Sequence, residues 1–159
     1  MRRSDLDAFA GAVAGPVERF AGETRVSLVL LLNESGQVLA QRGFARALDV
    51  MGVATLAAGI HASSRALADL LGEQGFSHLH QGGKRNQVFI GAFDTPAEEL
   101  VLVAVFGEES SVGLVRIFFE TLAREVATLP GWRDPRPTAD AASFERELES
   151  GLERFFGAA

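Results

Sequence analysis

Apolar positions recur along the chain at two periods, and the alternation between them lays out the elements. Leu6, Phe9, Val13, Val17 and Phe20 stand three or four residues apart, after Ser4 as a cap and with Asp5 and Asp7 in the first turn. That spacing predicts an amphipathic helix ending near Gly22. The segment 25–33 is an almost continuous Val/Leu run closed by the turn Asn33-Glu34-Ser35-Gly36, and the shorter, mixed segment 37–43 follows. Together they read as a hairpin whose first strand is central and whose second is an edge. Residues 48–71 have the length of a long helix, with Gly72 as its stop. Gly82-Gly83, a pair suited to the positive φ values of a tight turn, separates a strand over 76–81 from a second strand ending near Phe93. The first of these is polar on alternate positions, as an edge strand is. Leu100 to Phe106 is unbroken and apolar, the pattern of a strand buried on both faces. Val115, Phe118, Leu122, Val126 and Leu129 then restore helical spacing, which Pro130 ends.

Residues 130–140 hold three of the five prolines and form the one convincing linker. The expected organisation is a domain over 1–129, the proline-rich linker 130–140 and a C-terminal amphipathic helix over 141–159. Phe144, Leu148, Leu152, Phe155 and Phe156 share one side of that helix and require a receiving surface.

The long helix carries few charges. Val53, Leu56, Ile60, Leu67 and Leu70 fall on one stripe, read as the face that docks on the sheet. The opposite face carries Ala54, Ala58, Ala62, Arg65 and Asp69, flanked by Thr55, His61 and Ala66. Alanine is a good helix former that tolerates exposure, so the ridge can be an ordinary solvated face. The preferred reading is a second copy of the same helix across a two-fold axis, with the edge strand 76–81 as a further joining place.

Composition narrows the class. The 159 residues are 47% hydrophobic and 23% charged, ordinary for one globular domain, and the absence of cysteine removes disulfides and thiolate chemistry. No apolar run approaches the roughly 20 residues of a membrane span. Arg2 and Arg3 begin the chain as in a signal peptide, but Asp5 and Asp7 interrupt any apolar core, so a cytoplasmic protein is expected. The formal charge of −6 and the lack of a basic tract argue against nucleic acid as the main partner.

Catalytic constellations are absent. His78 and His80 share one face of a strand but need a third ligand to hold a metal, and solvated edge histidines are the simpler reading. Gly82-Gly83-Lys84 fails as a phosphate loop, because His78 stands where its first glycine belongs and Arg85 where Ser or Thr is needed. Ser63 and Ser64 beside His61 lie on one helix and build no triad. Arg42, Arg46, Arg65 and Arg85 read as surface charges, with Arg65 a contact residue on the alanine face. No catalytic residue, metal or cofactor is expected.

The segments LLNESGQVLAQ (31–41), LDVMGVATLAAGIHASSRALADLLGE (48–73), HLHQGG (78–83) and LVLVAVFGEESSVGLVRI (100–117) resemble the roadblock family, also called dynein light chain roadblock-type. The resemblance implies an α-β-β-α-β-β-β-α roadblock/longin-like fold, a five-stranded mostly antiparallel sheet with helices on both faces. It implies a homodimer through helix 48–71 and strand 76–81, whose paired helices form a platform for a small Ras-like GTPase. On that platform the partner-binding residues would be Ala54, Ala58, His61, Ala62, Arg65 and Asp69, with Phe144, Leu148, Leu152, Phe155 and Phe156 of the tail making a second contact. The implied role is a non-enzymatic regulator that stimulates GTP hydrolysis; the alternative is a roadblock scaffold that leaves nucleotide turnover unchanged.

Overall fold

The computed structural model describes residues 3–43, 49–132 and 149–154. Helix α1 (Arg3–Thr24) leads into the hairpin β1 (Leu28–Asn33) and β2 (Val38–Gly43), and helix α2 (Val50–Leu71) follows. The meander β3 (Leu79–Gly82), β4 (Gln87–Asp94) and β5 (Glu99–Phe106) comes next, then α3 (Val112–Ala127) and a 3-10 turn at Pro130–Trp132. The strands lie in the order β2-β1-β5-β4-β3, and each pair is antiparallel.

The two apolar runs of the sequence become the inner strands, β1 and β5, because each is covered on both faces. Val29 and Leu31 of β1 join Leu100, Leu102, Ala104 and Phe106 of β5 under α1 and α3, which contribute Val13, Val17, Phe20, Val115, Phe119, Leu122 and Val126. The alternate residues, Leu28, Leu30 and Leu32 with Val101, Val103 and Val105, face α2. A period of two along a strand thus feeds two cores. The element order, the central strands and the helices on both faces are as expected, and the sheet is antiparallel throughout.

Several boundaries differ. Helix α1 passes Gly22 and ends at Thr24, whose hydroxyl donates to the Phe20 carbonyl at 2.6 Å, and Arg25 takes the left-handed conformation at φ 56. Strand β3 starts at Leu79, so Phe76, Ser77 and His78 precede it. The turn of that hairpin is Gly83-Lys84-Arg85-Asn86, and neither Gly82 nor Gly83 has a positive φ. What requires glycine at 83 is space, since a Cβ there would stand 2.6 Å from the Asn86 carbonyl oxygen. Helix α3 begins at Val112, ahead of the expected apolar stripe, because the Ser111 hydroxyl caps it, accepting from the Leu114 N–H at 3.2 Å.

The core also extends past residue 129. Trp132 is 8% exposed, its ring meets Phe9 edge-on at 4.9 Å, and its Nε1–H donates to the Val126 carbonyl at 2.6 Å. The first three residues of the expected linker therefore belong to the domain. Residues 149–154 are helical, with Leu152 exposed. Ser4, expected as the cap of the first helix, lies within it, because α1 already begins at Arg3. The Leu6 side chain, Arg46, the remainder of the linker, Phe144, Leu148, Phe155 and Phe156 lie outside the described residues.

Candidate partner-binding site

Helix α2 is well terminated: the Asp49 carboxylate accepts from the Gly52 N–H at 3.1 Å, and Gly72 closes it in the left-handed conformation at φ 71. Its seat on the sheet corrects the expected stripe. Ala54, Ala57 and Ala68 are the buried residues, with Val50, Val53 and Ile60 partly covered. The expected docking residues Leu56 and Leu67 are 69% and 51% exposed, and Leu70 is 84% exposed. The helix is rolled by roughly a quarter turn, or one residue's step of about 100°, from the orientation its leucines suggest. The physical reason is volume. The strands beneath already fill that face with Leu28, Leu30, Leu32, Val101, Val103 and Val105, and only methyl groups fit between them and a closely approaching helix.

The roll leaves two unlike flanks. On one, Leu56, Ile60 and Leu67 wall a groove of about 810 Å³ whose other side is Phe76 and Leu79, next to the free edge of β3. Isolated exposed leucines are ordinary, but Leu56, Leu67 and Phe76 are gathered on one groove. On the other flank, His61 Nε2 lies 2.7 Å from Glu99 Oε1, and the Arg65 guanidinium donates to Glu99 at 3.1 Å and to Glu34 at 3.2 Å. This network ties α2 to the start of β5 and to the β1–β2 turn. Being partly solvated, each pair stabilises by about 0.2–1 kcal/mol.

The platform residues expected from the sequence are therefore dispersed. Ala54 is fully buried under α2 and presents nothing to a partner. Ala58 is half-buried beneath the β1–β2 turn, its Cβ 3.1 Å from where a Cβ on Gly36 would stand. His61 is half-buried on Glu99, and Arg65 is exposed with its guanidinium shared by two carboxylates. Ala62 and Asp69 are exposed. Leu56 and Leu67 read as docking residues because their spacing is the spacing of a core stripe, and Phe76 reads as the start of the edge strand. The available signal was bulk, since a helix offering both alanine and leucine faces to a crowded sheet docks by the smaller one.

Among the described residues no three potential metal ligands gather. His78 and His80 also border the groove, and their rings stack on Phe89 and Phe106 of the core under α1 and α3. Burial, then the Arg116 guanidinium and His80, hold His78 below the ordinary histidine value of 6.5. The folded state accordingly takes up this proton at lower pH than the unfolded chain does, so stability falls as pH drops below 6.5. Melting from about pH 7.5 to about pH 5 should cost His78→Gln less than the wild type, by about 1–2 °C for a largely solvated ring. Parallel curves would remove His78 from the pH dependence. No helix of the described residues is long and apolar enough to cross a membrane.

Comparison with known proteins agrees with this architecture. The family model described as Roadblock/LC7 domain matches residues 16–106. The gliding protein MglB of Thermus thermophilus is 30% identical, over 76% of this chain and 89% of that one, with a TM-score of 0.65. Myxococcus xanthus MglB is 25% identical, over 72% and 91%, with the same TM-score of 0.65. An MglB structure with a tetrameric arrangement is 27% identical, over 80% and 90%, again at 0.65. No curated protein matches the chain by sequence. A match over more than half of the chain, on the strands and long helix described above, places it in a family: the chain belongs to the Roadblock/LC7 family.

Proposed function

We propose that the protein is a homodimeric regulator that binds a small Ras-like GTPase of the MglA type and stimulates its GTP hydrolysis without a catalytic site of its own. The observation that carries this reading is the groove between α2 and β3. Its apolar wall and the open β3 edge suit a second copy, whose α2 would lie beside the first and whose β3 would extend the sheet. Similarity to MglB at 25–30% identity supports a regulator in a gliding or cell-polarity setting over an enzyme. Thr55, Ala62, Ala66 and Asp69 remain exposed on α2 away from the sheet and form the surface offered to the GTPase. The tail carrying Phe144, Leu148, Leu152, Phe155 and Phe156 supplies a second contact, promoting exchange. Arg65 acts at the rim, since its guanidinium is already held by Glu34 and Glu99.

The test is phosphate release by the Ras-like GTPase encoded nearest in the genome, with and without this protein. Stimulation by about tenfold or more is expected, and Asp69→Ala with Arg65→Ala should weaken it while changing stability by about 0.5 kcal/mol or less. Tight binding with unchanged turnover would support the scaffold reading in its place.

A further inference from the structure

His78, one residue before β3, stacks on Phe89 with ring centroids 5.4 Å apart, and His80 stacks on Phe106 at 6.2 Å. Both phenylalanines belong to the core under α1 and α3, so the two imidazoles stand side by side on that face of the free edge. One nitrogen of each ring is engaged. His78 Nδ1 is 3.1 Å from Ser77 Oγ, and His80 Nε2 is 2.8 Å from Gln87 Oε1. With the Gln87 amide oxygen as acceptor, the tautomer that fits this contact has its proton on His80 Nε2 and its lone pair on Nδ1. Metal-binding imidazoles are oriented in this way, one nitrogen held by a hydrogen bond and the other presented.

We propose that His78 and His80, joined by the same two residues of a second copy paired along β3, form a four-imidazole site for a divalent transition metal, with Zn²⁺ the best match. The proposal rests on the dimer described above. One chain supplies two ligands, and the backbone shows how a second supplies the rest. Gly83 N–H donates to the Asn86 carbonyl, and the ladder continues through Gln81↔Val88 and Leu79↔Ile90. By the alternation of an antiparallel pair, the N–H and C=O groups of His80 and Gly82 point away from β4, toward the open edge. A second β3 added antiparallel about a two-fold axis through Leu79 sets His80 opposite His78 of the other copy. Residues so opposed have Cβ atoms about 4.5–5.5 Å apart on the same face. Turned from Phe89 and Phe106 toward that seam, the four imidazoles can surround a tetrahedral ion with Zn–N bonds of about 2.0–2.1 Å. Imidazole donors without carboxylates favour zinc, copper or nickel over magnesium or calcium. The Arg116 guanidinium near His78 opposes a cation, but it is exposed and screened by salt.

The experiment is calorimetric titration of the full chain with ZnCl₂ after removal of metal by EDTA, with light scattering on the same samples. The expected result is one zinc per two chains, with binding at least tenfold weaker in His78→Gln and in His80→Gln, both melting as the wild type does without metal. Zinc should lower the dimer dissociation constant at least tenfold in the wild type and leave it unchanged in the variants. Co²⁺ in place of zinc should give the visible absorbance of a tetrahedral site. A dimer that takes up no zinc, or binds one per chain, or binds it equally well after His80→Gln, overturns the site and leaves the dimer standing. A chain that remains monomeric with and without zinc overturns both.

Discussion

Leu56→Glu combined with Leu67→Glu should convert the proposed dimer into a monomer. Both leucines are exposed on the single chain and wall the groove beside β3, so within one copy they have little to lose. Covered by a second copy, each contributes about 1.5–3 kcal/mol, and the two-fold axis doubles every change. Four lost leucines and four buried carboxylates exceed the roughly 4 kcal/mol that makes a thousandfold change in dissociation constant. Light scattering should report half the wild-type mass at micromolar concentration, and stimulation of the GTPase should vanish with it. Circular dichroism should show the same secondary structure. A double variant of unchanged mass would move the two-fold axis off this flank. Ala58→Glu, the substitution that a partner-facing alanine ridge would single out, is the weaker probe, because Ala58 sits beneath the β1–β2 turn and a charge there disturbs the domain itself.

The second large effect is expected at Trp132. Replacing it with alanine removes a buried indole, the edge-on contact with Phe9 and the hydrogen bond to the Val126 carbonyl. Truncations of this size in a core cost about 3–5 kcal/mol, which for a domain of this length lowers Tm by roughly 10 °C or more. A chain ended after Leu129 should melt like Trp132→Ala, whereas one ended after Trp132 should keep the wild-type core. Equal melting temperatures for the two truncations would show that the indole contributes nothing and that the domain ends where Pro130 begins.

Leu152, in the helical segment 149–154, is 49% exposed.

The sequence by itself determined the element order, the two central strands and the two-sided core. Those features follow from periodicity: a strand buried on both faces must be apolar at each position, and Leu28–Leu32 and Leu100–Phe106 are the runs that meet the requirement. It also determined the C-terminal end of α2, because Gly72 acts through bonds to backbone three or four residues away, whereas the start expected at 48 moves to Val50 behind the Asp49 cap. Only the tertiary structure decided which face of α2 meets the sheet. Two stripes of equal period compete on that helix, one of leucine and one of alanine, and periodicity cannot rank them. The choice depends on how much room the strands beneath leave, a quantity set by residues distant along the chain. The same is true of Trp132, whose neighbours Phe9 and Val126 come together only when α1 and α3 lie side by side, and of the His61–Glu99–Arg65–Glu34 network, assembled from three separate elements.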